Sequence, residues 1–568
     1  MIGWCAESEA ASTRGGTMRS RWWRTITVAF LPLLVCGGCQ GGDELPPDVD
    51  ISGSSRTKVD LFELAWDNLE RLSEYAPQQP LEETVARLNQ WAQTSAPEVA
   101  WQVDPLLDSL PADLINDHVR QRLASSNFVA TDGPFLQEAV LMRRASAFIV
   151  GDATDPLEQA QRLFDWTIRN IQLDNAALRM WPGENLLLGR ASELDRGWVF
   201  AMLARQRQLD VVWLAIAEDA ERRSFRIWCP ALLHDGELYP FDVLWGVAMP
   251  TATGEGVATL ADLATDDKLL RQLDVSGLPY PVRADELSRV LVIVPAREPF
   301  LSRRMQIVAE RLPKRLRTVL HIDLRRLADE LAELRQVGAV RLWIWPFQYA
   351  RQRDVNSAEG KQLADGVVAE LAPFFANHTI TVEARKLGDF EQAGYERTVW
   401  PLWSGRVHHL AGNFTPPVEE QTAGQSFAAA IPLYLIARTK IQDRAVLPEG
   451  VRLSAEEQAA WERRQALDTY VYGRMQLDAT YWLGQIRFDQ GDYATAAEFF
   501  QRTLNLLGKR ARATGVRYNL ARAYEALGDY DKAIEQFEAE GSPASQLRAR
   551  RLAAGRAASS ASDAEASE

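Results

Sequence analysis

The residues able to act as nucleophile, base or metal ligand are few in this chain and poorly placed to work together. Of its four cysteines, Cys5, Cys36 and Cys39 crowd the first 39 residues and only Cys229 follows. One thiol beyond the leader excludes an internal disulfide, a cysteine zinc site and a CxxC redox pair there. The histidines, His118, His234, His321, His378, His408 and His409, form no HExxH pair. Read as strand residues, His408 and His409 would point to opposite faces and make a poor metal pair. Ser192 and Ser224 have no base beside them in sequence and read as a cap and a turn residue. No Gly-rich phosphate loop follows a strand-like run, so nucleotide binding has no support. The residues imply no metal and no cofactor.

The elements that would position Arg226, Cys229 and Asp242 are legible from periodicity. An apolar helical pattern spans 156–170 and another 193–208, followed by the strand-like run Val211 to Ile216. Ser224 to Cys229 and Glu237 to Asp242 flank a turn at Asp235-Gly236 and read as a hairpin. Cys229 lies three residues after Arg226, so on a strand it faces away from it and reads as a small buried apolar residue. His234, at the hairpin tip, reads as exposed.

This order resembles the transglutaminase-like, papain-related domain. Ala160 to Trp166 is similar to that family's entry helix and Arg196 to Leu203 to its nucleophile helix. Arg226-Ile227-Trp228 is similar to its His-Ala-Trp strand, and Pro240-Phe241-Asp242 with Trp245-Gly246 to its Asp strand. The resemblance implies a cysteine activated at a helix N-terminus, a histidine base and an orienting aspartate. Here the cysteine position falls on Gly197, or one residue earlier on Arg196, and the histidine position on Arg226; only Asp242 survives. Glycine offers no nucleophile and arginine no base near neutral pH. The resemblance therefore implies a degenerate triad, with Arg226 expected to form an ion pair with Asp242.

Residues 455–540 are helical and repetitive. Leu483-Gly484, Ala496 and Phe500 return as Leu520-Ala521, Ala533 and Phe537, each 37 positions on, with Gly-Asp-Tyr at 491 and again at 528. Small residues let paired helices approach while Leu and Phe fill the seam. The pattern resembles tetratricopeptide repeats, which implies a concave surface for a peptide or partner protein, or a cap on the neighbouring domain.

Residues 18–39 carry Arg19, Arg21 and Arg24, an apolar run over 25–35, and Gly37-Gly38 before Cys39. The run is too short to span a bilayer as a helix. It resembles a bacterial lipoprotein signal peptide with Met18 as its true start. That implies lipid on Cys39, export and, with Gln40 next, an outer-membrane anchor facing the periplasm.

A chain of 568 residues predicts three to four domains. With a net charge of −14 there is no electrostatic case for nucleic acid. The expected fold is multidomain α+β. It has a leader (1–39), a tether (40–57), a helical lead-in (58–134) and a transglutaminase-like α+β core (135–280). An α/β domain of unassigned role (285–440), all-α helical-hairpin repeats (455–540) and a disordered tail (541–568) follow. The expected role is a lipid-anchored, non-enzymatic scaffold holding an envelope protein or peptide through its repeats. The alternative is an altered amide- or peptide-bond enzyme with an unrecognised nucleophile.

Overall fold

A six-stranded sheet organises the chain. Its strands lie in the order Val247–Ala248, Glu237–Asp242, Phe225–His234, Asp210–Ala217, Val290–Val294, Val337–Leu342. All neighbours are antiparallel except the last pair, which is parallel. The computed structural model describes residues 60–175, 177–219, 224–382, 385–387, 390–392, 395–416, 427–439, 453–508 and 514–565. Two units divide the chain, Met1–Lys58 and Val59–Glu568. The leader, the tether and Cys39 fall outside the described residues, so the second unit alone is described.

The central strand shows why both faces of the sheet are covered. Side chains alternate along a strand, and here both sets are apolar. Val211, Trp213 and Ala215 enter one core with Phe164, Phe200 and Phe241. Val212, Leu214 and Ile216 enter a second with Cys229, Val292 and Leu327. The first core is roofed by the entry helix Pro156–Asn170 and the central helix Glu193–Arg205. Asp155 caps the entry helix by accepting from the Glu158 amide, and Pro156 fits its first turn. Gln208 takes the left-handed φ of 61° where the chain leaves the central helix for the central strand, a position that glycine favours.

The boundary expected between 280 and 285 is absent. Val290–Val294 pairs with Asp210–Ala217, so the stretch read as a separate α/β domain contributes two strands to the same sheet. An apolar run alone cannot report which sheet it joins. The strand His378–Val382 of that stretch pairs with Tyr395–Val399 outside the main sheet. His408 and His409 lie on the helix Pro401–Leu410, not on a strand. His409 is buried against Arg406 and Tyr434, and burial pulls His408 down to about 4.

The tail is also corrected. Residues read as disordered form the helix Pro543–Glu565. Alanine-rich composition is helix-forming, and Ala544, Leu547 and Ala549 are buried. Arg550 donates to the Gln272 and Asp274 carbonyls, which ties this helix to the sheet side of the molecule.

The helical hairpins follow the expected seams. Ala455–Asp489 pairs with Tyr493–Leu507, and Thr514–Ala526 with Tyr530–Glu540. Gly491 and Gly528 take φ of 76° and 77° to end one helix, and Asp492 and Asp529 cap the next. A Cβ on Gly484 would lie 2.7 Å from the Phe500 ring, so the close approach requires glycine there.

Candidate functional site

The central helix begins at Glu193, with Ser192 as N-cap accepting from the Asp195 amide at 3.3 Å. Ser224, the other serine weighed as a nucleophile, donates its amide to Asp219 and its hydroxyl to Glu218, as a turn residue does. Gly197 is therefore the fifth residue of the helix and not its N-terminus. It sits against the central strand: an added Cβ would lie 2.7 Å from Trp213 Cζ2 and closer still to Cη2. The position assigned to a degenerate nucleophile is a packing contact. Arg196, the neighbouring assignment, is buried too, and its guanidinium donates to the Val243 and Ile168 carbonyls. Burial pulls it down to about 10, against a weaker opposing pull from Tyr518 and Glu540.

Arg226 and Asp242 do not pair. Arg226 donates to Glu286 at 2.7 Å, half-exposed at the edge of the fold. A β-bulge intervenes, because Leu214 faces Cys229 and Ala215 faces Ile227 with Trp228 between. Asp242 is buried; its Oδ1 accepts the Leu244 and Trp245 amides at 2.9 and 2.8 Å, and its Oδ2 accepts the Tyr280 hydroxyl at 2.7 Å. Tyr280 in turn accepts Trp228 Nε1 at 2.7 Å. Burial raises Asp242 despite these donors, raises Tyr280 well above its ordinary value, and does the same to the fully buried Cys229. A thiol so placed stays protonated.

The residue that sequence reasoning missed is Glu193. It stands first in the central helix and is part-buried. Burial, with repulsion from Asp242 against a smaller pull from Arg196, pushes its carboxyl up to about 7. The signal was available in Ser192-Glu193 as a cap and first-turn acid, but the resemblance drew attention four residues later.

This shift has a measurable consequence. A carboxyl raised in the fold prefers its proton there, so stability is full below its ordinary value near 4.5 and declines as pH rises through about 7. Glu193→Gln is expected to be about 1–3 kcal/mol more stable than the parent at pH 8 and equal to it at pH 4. Denaturant midpoints across that range check this, and parallel profiles for the two chains would refute it.

The hairpins close one side of this region. A cavity with room for a single water, about 20 Å³, lies between Ile168, Arg196 and Leu244 of the core and Tyr518, Asn519 and Ala544 of the C-terminal helices. Among the described residues, no group of His, Cys, Asp and Glu is placed to hold a metal ion. Nor is any helix there long and apolar enough to cross a membrane.

Residues 476–539 match the family model of the tetratricopeptide repeat. No curated protein and no solved structure matches the chain. The matched segment starts within the helix Ala455–Asp489 and runs through the three helices that follow as far as residue 539. Its signature residues Leu483, Gly484, Ala496, Phe500, Leu520, Ala521, Ala533 and Phe537 are all buried in the seams. They hold the repeats together; a partner would have to touch other side chains.

Proposed function

We propose that this chain is a lipid-anchored envelope protein that acts as a non-enzymatic scaffold for a protein or peptide. In this reading an inactive transglutaminase-like core carries the tetratricopeptide repeats. The observation that carries it is the pairing of the repeats with a site in which the groups around Asp242 are engaged with one another. Tetratricopeptide repeats commonly mediate protein–protein contact. Meanwhile Asp242 is held by Tyr280 and two amides, and Arg226 is turned to Glu286. The leader around Cys39 supports export and anchoring, and Gln40 supports the outer membrane.

The second reading, an altered amide- or peptide-bond enzyme, draws on Glu193, at a helix start, whose carboxyl is pushed up to about 7 by burial and the charge of Asp242. A group with a pKa near neutrality suits general acid–base work. A soluble chain beginning at Gln40, assayed on a broad panel of peptides and amides, separates the two. Turnover that falls with Glu193→Gln and follows a midpoint near pH 7 would replace the scaffold reading. Absence of turnover, together with saturable capture of an envelope protein, is the expected result.

A further inference from the structure

The inner face of the repeats already holds a peptide segment, and that segment belongs to the same chain. Arg169 is the penultimate residue of the entry helix, where backbone carbonyls lack intrahelical partners. Its carbonyl accepts Asn519 Nδ2 at 2.9 Å, Gln485 Nε2 at 3.1 Å and the Tyr481 hydroxyl at 3.4 Å. Its guanidinium pairs with Asp489 at 2.9 Å, with both side chains buried, and lies 4.5 Å from the centre of the Phe488 ring. One residue is thus read twice, as a backbone acceptor and as a cation.

The contact follows the repeat. Tyr481 and Gln485 on the first helix of one repeat correspond, at the 37-residue period, to Tyr518 and Arg522 on the next. Arg522 donates to Asp165 at 3.3 Å, one turn before Arg169 on the entry helix. Gly515 lies so close to Gln172 that a Cβ there would sit 2.6 Å from the Gln172 Cβ. Successive repeats therefore present matching positions to one continuous segment, Asp165 to Gln172, as a repeat groove presents them to a ligand.

We propose that this inner face is a recognition site for an arginine-bearing peptide segment, kept occupied in cis by Asp165 to Gln172. This rests on the scaffold reading and names its partner: a segment ending a helix, with an arginine whose carbonyl is free. The cis segment is tethered, so it competes at high effective concentration, and a partner's apparent affinity falls by the fraction of chains whose groove is open.

The probe is a peptide with this chain's own residues 156–173, labelled and titrated into the full chain. Arg169→Ala in the chain removes the cis guanidinium and leaves the groove untouched. That variant is expected to bind the peptide at least about tenfold more tightly than the parent. Adding Asp489→Asn, or using a peptide with the same Arg169→Ala change, is expected to abolish the gain. A folded Arg169→Ala chain that binds no better than the parent overturns the proposal. If that variant fails to fold, amide exchange in the parent decides instead. The helices of 476–539 are expected to open as a unit before the central strands do. Opening of both only together would mean permanent packing and would likewise overturn it. Capture of an envelope partner that is indifferent to Asp489→Asn would overturn this site while leaving the scaffold reading in place.

Discussion

Gly197→Cys, the change that puts a thiol where the sequence resemblance expects one, is expected to destabilise the core by about 3 kcal/mol or more. The new Cβ would meet the Trp213 indole, a rigid ring with no exposure. That ring cannot retreat easily, because Trp213 packs on Trp343 at 5.8 Å and Trp343 on Trp198 at 5.1 Å. Gly197→Ala, which adds the Cβ alone, is expected to cost nearly as much. Urea midpoints followed by tryptophan fluorescence measure both. A loss below about 1 kcal/mol for the alanine variant would mean that the helix and strand can part without strain.

Asp132→Ala is expected to cost about 3–5 kcal/mol, because it leaves a buried guanidinium with only the Arg122 carbonyl and Glu298 at 3.9 Å. Asp132 opens the helix Asp132–Val150, and its carboxylate grips Arg304 through Nε at 2.7 Å and Nη2 at 3.0 Å. Neither side chain reaches solvent: their exposures are 0% and 1%. The double change to Asp132→Leu with Arg304→Met is expected to cost far less, since apolar residues of similar volume often replace a buried pair at little loss. Equal losses for the single and double changes would show that the pair contributes shape and not charge.

The same pair explains where sequence reading stopped. Helix and strand positions follow from local periodicity, which is why 156–170 and the run Val211 to Ile216 lie where expected. Domain limits do not follow from it. Arg304 is 172 residues from Asp132, and no pattern within either stretch announces that they share a core. The tail was misread because alanine and arginine suit both a solvated chain and a helix; only the buried Leu547 side chain and the Arg550 contacts decide. At the site, the sequence singles out Asp242 as a carboxylate closing the hairpin strand. Its true partner Tyr280 was not legible, because a hydroxyl 38 residues on carries no motif. Arg226 was mispaired because Glu286, 60 residues on and with no motif around it, takes the guanidinium instead. The repeats were the most legible part, since their 37-residue period is written twice.

Cys229 has no exposure and lies between the hairpin and the second core. In a chain beginning at Gln40 it is the sole sulfhydryl. It can then serve as an intrinsic clock: an alkylating reagent modifies it only in molecules whose sheet has come apart. When reclosing outpaces modification, the labelling rate divided by that of a free thiol gives the open population directly. The molecule thus carries its own gauge of sheet opening, with no dye or engineered residue needed.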